Sequence, residues 1–263
     1  MSTQAEKAQA FQALHQGEPF VIPNPWDAGS ARMLEALGFK ALATTSGGFA
    51  FTLGRLDGEV TLDEVAAHVS ALAEATDLPI SVDLENGFGA EPEAAARAIE
   101  RVAEAGAVGG SIEDWDPGES RLYDPVHATE RVAAAVEAAR RQPFPFTLTA
   151  RAENHLRGNP DLDDTIARLQ AFEAVGADVL YAPWLQTTDE ISAVCDAASQ
   201  PVNVLATPDL SFAEITTAGA QRVSVGSRLA WAGVEAAEAA AHGLLAGDLS
   251  GLRGSPPLAD WFR

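Results

Sequence analysis

Cysteine is almost absent from this chain: Cys195 stands alone, so no intramolecular disulfide, no cysteine-rich zinc site and no two-cysteine redox pair can be built. It falls in a helical pattern and is expected to pack rather than react. Basic charge is scarce too. Seventeen Lys and Arg face 38 Asp and Glu, a formal net charge of −21, which argues against nucleic acid and anionic membrane surfaces as partners, because both are polyanions that need clustered cations. The stretch from Met1 to Gly17 has no long apolar core, so neither a signal peptide nor a membrane span is expected there, and a cytoplasmic location is the default. Finally, no G-x-G-x-x-G follows the first strand-like run, which disfavours a doubly wound open sheet.

What is present is a repeated alternation. With 263 residues, 47% of them hydrophobic, the chain suffices for one large domain over 1–263. Short apolar runs recur at Pro19–Pro23, Ala41–Thr45, Pro79–Leu84, Gly109–Glu113, Phe146–Ala150, Asp178–Tyr181, Val202–Leu205 and Arg222–Val225. Each is followed by helical spacing, and the helix near Thr61 opens with the Thr61/Glu64 pair of a capping box. Eight strand-helix units with apolar rather than alternating strands predict a parallel (β/α)8 TIM-type barrel, an α/β fold. Residues 230–263 exceed what one barrel helix needs. They are expected to form a C-terminal helical extension that packs on a neighbouring subunit, or else an ordered tail on its own barrel.

Chemistry in such a barrel sits at the carboxyl ends of the strands. Those ends carry Trp26 and Asp27, then Thr45, Ser46 and Gly47, then Asp83 and Glu85, then Glu113 and Asp114, then Arg151 and Glu153, with Asn203 in the seventh strand. Alternation within a strand would point Asp83 and Glu85 the same way. Taken singly, they read as strand-end polarity and a solvated loop acid. With Glu113 and Asp114 on the next strand, the acids are costly to keep together unless a cation neutralises them, and oxygen-only ligands suit Mg2+ first and Mn2+ second. The Ser46-Gly47-Gly48 turn offers backbone N–H groups to a carboxylate. Glu153 reads either as a base or as the salt-bridge partner of Arg151. Trp26, Trp115 and Trp184 read as pocket walls or as core. Tyr123 is expected to pack the 115–124 loop, His127 to face outward, and His155 to lie on a surface loop.

Together Asp27-Ala28-Gly29-Ser30-Ala31-Arg32, Thr45-Ser46-Gly47-Gly48, Asp83-Leu84-Glu85-Asn86-Gly87-Phe88-Gly89, Ile112-Glu113-Asp114 and Ala150-Arg151-Ala152-Glu153 resemble the isocitrate lyase and phosphoenolpyruvate mutase superfamily, from Asn24 to about Gly226. The resemblance implies a Mg2+ site at Asp83, Glu85 and Glu113, with Asp57 helping through water. It also implies a substrate carboxylate held by Ser46 and Gly47 beside Thr45, Arg151 next to a developing enolate oxygen, and Asn203 as a further substrate contact. Homo-oligomers, dimers or tetramers built through exchanged C-terminal helices, follow from it as well. One motif departs. Lyases of the superfamily carry a Lys-Lys/Arg-Cys-Gly-His type gate loop after the fourth strand, whereas Trp115–Asp124 has no cysteine, lysine or histidine. The expected activity is Mg2+-dependent carbon-carbon cleavage of a small 2-oxo or 2-hydroxy dicarboxylate through a pyruvate-like enolate, with oxaloacetate decarboxylation as one form. Hydrolysis of oxaloacetate or phosphonopyruvate, and α-keto acid binding without turnover, are the alternatives.

Overall fold

The eight apolar runs become eight parallel strands because each is covered on both faces. The computed structural model describes residues 2–252 and 254–262; Met1, and Arg253 and Arg263 of the predicted extension, lie outside them. The strands are β1 (Phe20–Ile22), β2 (Leu42–Ala43), β3 (Ile80–Asp83) and β4 (Gly109–Glu113), then β7 (Thr147–Arg151), β8 (Val179–Tyr181), β9 (Val202–Leu205) and β10 (Arg222–Ser224). Between β4 and β7 lies an antiparallel hairpin, β5 (Trp115–Asp116) and β6 (Arg121–Leu122). The sheet order β1-β10-β9-β8-β7-β4-β3-β2 is that of a ring. The Ala43 N–H donates to the Pro23 carbonyl at 3.1 Å and draws its two ends together, so the fold is a nearly closed TIM-type barrel.

Around it run α1 (Gln4–Leu14), α2 (Ala28–Ala36), α3 (Ser46–Thr52), α4 (Leu62–Ala75), α5 (Pro92–Glu104), α6 (Pro125–Arg140), α7 (Leu162–Ala174), α8 (Thr188–Ala197), α9 (Phe212–Thr217), α10 (Arg228–Leu245) and α11 (Leu258–Trp261). Their starts are written locally. Thr61, Thr187 and Ser211 each close a reciprocal capping box with a glutamate three residues on, and α5 and α6 begin with proline, whose missing N–H is no loss in a first turn. The N-terminal helix α1 lies against the lower end of the barrel, burying Ala8 and Phe11 with Ile22, Ala41 and Val108. Gly109 permits that approach: a Cβ there would come within 2.8 Å of the Phe11 ring and 2.9 Å of the Thr147 carbonyl.

Two local expectations are corrected. Ser46-Gly47-Gly48 is not a loop turn but the first turn of α3, because the Thr45 hydroxyl caps the Gly48 N–H at 3.3 Å and Phe49 and Ala50 are buried. And β3 stops at Asp83, with Glu85 in the left-handed region at φ 50°, so strand alternation does not orient it. At the other end of the chain α10 buries only Ala230, and α11 turns back onto α2.

Candidate active site

Strand register assembles the site. Glu113 of β4 pairs with Arg151 of β7, Arg151 with Tyr181 of β8, Tyr181 with Asn203 of β9, and Asn203 with Arg222 of β10. Five residues scattered over more than a hundred positions thus form one belt around the inside of the barrel. Above it opens a cavity of about 190 Å3, walled by Thr45, Ser46, Asp57 and Asp83 on one side and by Arg151, Tyr181, Asn203 and Arg222 on the other.

Arg151 is the centre of the charge network. Its Nη1 donates to Asp83 Oδ1 at 2.8 Å, its Nη2 lies 3.0 Å from Glu113 Oε2 and 2.8 Å from Glu153 Oε1, and Arg157 meets the far oxygens of Glu113 and Glu153 at 3.1 and 3.3 Å. Burial works against the Arg151 charge, but Glu153, Glu113 and Asp83 outweigh it and hold the guanidinium firmly protonated. Glu153 is fully buried inside this network, so it stands as the salt-bridge partner of Arg151 rather than at the cavity wall. Asp114, equally buried, is pushed up to about 6 by desolvation while Arg168 and the Glu153 N–H hold it in place.

Two carboxylates stay under-compensated. Asp57 is raised by burial first and by Asp83 next, with the Ser46 side chain partly offsetting both. Glu85 is pushed up to about 7 by burial and then by Asp83 and Asp57, and its Oε1 is buried without a hydrogen-bond partner. Five carboxylates, Asp57, Asp83, Glu85, Glu113 and Glu153, therefore face two guanidiniums, Arg151 and Arg157. Among the described residues no three acidic, His or Cys side chains already converge as a cage. Still, a surplus of hard oxygen donors, with Glu85 Oε1 left without a hydrogen bond, is the kind of chemistry a divalent cation satisfies.

The residues named from sequence separate into three groups. Thr45, Ser46, Asp57, Asp83, Arg151 and Asn203 line the cavity. Gly47 backs it, where a Cβ would meet Ser227 Oγ at 3.0 Å and Asp57 Oδ2 at 3.4 Å. Glu85 opens instead on a neighbouring cleft with Asp116 and Tyr123, Glu113 lies buried behind Arg151, and Trp26 lines neither space. Tyr123 packs as expected, its hydroxyl accepting from Asn86 Nδ2 at 3.1 Å, and the His127 ring reaches the Ala90 carbonyl at the surface. His155 is a correction: it is buried, its Nδ1 facing Thr165 Oγ1 at 3.3 Å, because the segment after β7 folds inward over α7.

Sequence reasoning missed Tyr181, Arg222, Ser224 and Ser227. Ser227 Oγ lies 2.7 Å from Thr45 Oγ1, joining the last strand's loop to the second. The only sequence signal was a tyrosine and an arginine set in otherwise apolar strand runs, two residue types that an all-apolar barrel interior would not choose.

The chain is similar over most of its length to known proteins. The sequence model of the family described as phosphoenolpyruvate phosphomutase matches residues 11–245. A solved structure of a candidate lyase/mutase from Burkholderia cenocepacia J2315 is similar over 98% of this chain and 96% of its own, with 49% identity and a TM-score of 0.95. An uncharacterized protein of Mycobacterium tuberculosis is 34% identical over 235 residues, 89% of this chain and 88% of its own. An oxaloacetate decarboxylase of Paraburkholderia xenovorans is 30% identical over 214 residues, 78% of this chain and 70% of its own.

Proposed function

Since this chain belongs to the phosphoenolpyruvate phosphomutase family, within the isocitrate lyase and phosphoenolpyruvate mutase superfamily of lyases, mutases and hydrolases, we propose that it is a Mg2+-dependent carbon-carbon lyase for a small 2-oxo or 2-hydroxy dicarboxylate, with oxaloacetate decarboxylation as the leading form. The observation that carries this reading is the pairing of Asp83 with Arg151 at 2.8 Å on the wall of one cavity, with Asp57 and Ser46 beside them. Asp83 and Glu85, helped by Asp57 and from behind by Glu113, would hold the metal, with Mn2+ as the second choice. Bound there, the ion supplies Lewis-acid stabilisation of an enolate oxygen.

The chain's own groups do the rest. Thr45, Ser46 and Gly47 receive the substrate's carboxylate at the start of α3. Arg151, held in orientation by three carboxylates, keeps a fixed positive charge where the keto oxygen turns anionic. Cleavage releases carbon dioxide and leaves the electron pair in the enolate, a step that needs no separate acid. That suits a 115–124 loop without cysteine, lysine or histidine. Tyr181, pushed up to about 12 by burial, keeps its proton at neutral pH and lines the cavity; it would give that proton to the enolate carbon and take one back from solvent. Hydrolysis is the second reading, favoured only by the raised Asp57 carboxyl, which is the cavity's available base for water. Homo-oligomerisation through the C-terminal helices belongs to the same proposal, supported by the exposure of Leu245, Leu249 and Leu252.

The deciding experiment incubates purified protein and Mg2+ with oxaloacetate. Pyruvate and carbon dioxide appearing faster than with Mg2+ alone is the expected result. Oxalate and acetate instead would assign hydrolysis, and thermal stabilisation by keto acids with no product at all would leave a binding protein.

A further inference from the structure

Arg222 closes the belt at the end opposite Glu113. Both of the belt's arginines, Arg151 and Arg222, line the cavity, and Tyr181 and Asn203 lie between them in register. Their charge balance differs. Arg151 meets three carboxylates within 3.0 Å. Arg222 meets only neutral groups: Nε donates to Asn203 Oδ1 at 2.8 Å, Nη2 donates to Thr149 Oγ1 at 2.9 Å, and Nη1 faces His15 Nε2 at 3.1 Å. Burial and Arg222 itself drive His15 down to about 3, so the imidazole is neutral and serves as an acceptor. Among the described residues no acid is ion-paired with Arg222, although it is only 5% exposed. Desolvation lowers it to about 10, which leaves it charged at neutral pH.

A buried guanidinium without a counter-ion is expensive, and proteins remove such a charge unless something answers it. Its three neighbours fix its orientation without neutralising it. The remaining N–H groups and the whole positive charge are left for whatever fills the cavity. The site is therefore polar end to end, with acids at Asp83 and Asp57 and an unanswered cation on the β10 side.

We infer that Arg222 is the specificity residue of this site: it receives a second anionic group, a carboxylate carried on a short chain away from the 2-oxo or 2-hydroxy acid head, and makes the enzyme select dianionic substrates. This rests on the keto-acid reading above and adds to it which end of the cavity takes the substrate's tail. The bland account is that Arg222 merely ties β10 to α1 through His15. The two differ in what they say about ligands.

The test uses a matched pair. Oxaloacetate and 2-oxobutyrate share a four-carbon skeleton and differ in having a carboxylate or a methyl group at the far end. Dissociation constants are measured with Mg2+-loaded full-length protein by stopped-flow tryptophan fluorescence, before turnover. Wild type is expected to prefer oxaloacetate by about tenfold or more, the order a charge-assisted contact supplies. In Arg222→Met the preference should fall to within about twofold while 2-oxobutyrate binding is unchanged, and Arg222→Lys should retain part of it. Equal binding of the two acids by wild type, or a preference that survives in Arg222→Met, overturns the inference and leaves the keto-acid reading standing. If neither acid binds the metal-loaded wild type, both fall together. Should Arg222→Met fail to fold, the wild-type ratio and the lysine variant still decide.

Discussion

At the scale of single residues, the acids on β3 show how a correct grouping can arise by a different route. Asp83 ends the strand and Glu85 leaves it at φ 50°, so their closeness comes from a tight turn rather than from pleat alternation. The consequence is measurable. Glu85 titrates at about 7 in the folded chain against about 4.3 when unfolded. Between those values the folded state holds the proton that the unfolded state has released, so this group's contribution is fully present below about 4.3 and is lost as pH rises through about 7. Urea melts of metal-free protein across that window should show the loss, and Glu85→Gln should make it shallower while Asp114 keeps its own share; an unchanged slope would count against the assignment. Asp83→Ala should abolish the rise in melting temperature that Mg2+ produces in wild type. Full retention of that rise in the variant would remove Asp83 from the ligand set.

At the scale of elements, the turn from β3 into α5 is held from outside by α6. Arg131, nearly inaccessible at 1% exposure, donates to the carbonyls of Asn86, Gly89 and Ala90 and lies over the Tyr123 ring at 4.4 Å. One side chain thus fastens both the turn that presents Glu85 and the end of the hairpin loop. Arg131→Met keeps the volume but strands those carbonyls, and should lower stability by about 3 kcal/mol in urea unfolding. It should also weaken Mg2+ binding, since Glu85 rides on the freed turn. A loss under about 0.5 kcal/mol would mean that the carbonyls find water instead. The hairpin strands β5 and β6 are anchored to the acid network, with Arg157 stacked on Trp115 at 4.5 Å and tied by the same guanidinium to Glu113 and Glu153.

At the scale of the molecule, the barrel leaves one part without cover. α10 exposes most of its length, its last residue Leu245 is 87% exposed, and Leu249 beyond it is 67% exposed. A contiguous apolar patch in water favours association, and the proposed oligomer would bury these two leucines. Replacing both with glutamate should shift the light-scattering mass of the purified protein to that of a single chain, and a wild type already monodisperse as a monomer would dispose of the oligomer proposal. Among the described residues no helix is long and apolar enough to cross a membrane.

The barrel was legible because it is written locally. Apolar runs short enough for strands, capping boxes at Thr61, Thr187 and Ser211, and prolines at the starts of α5 and α6 each act within a few residues, and their eightfold recurrence leaves few architectures. So were the acids at strand ends, since those ends are where a barrel puts its chemistry. What no local signal contains is register. Arg222 lies 207 positions from His15 and 73 from Thr149, and it joins Asn203, Tyr181 and Arg151 in one belt only because four strands stack at particular offsets. Tertiary packing alone decided that Glu113 and Glu153 would be spent on Arg151, that Glu85 would keep an unanswered oxygen, and that Arg222 would keep an unanswered charge. Charge compensation in a buried site is a property of which groups meet, and meeting across the barrel is what a linear sequence does not specify.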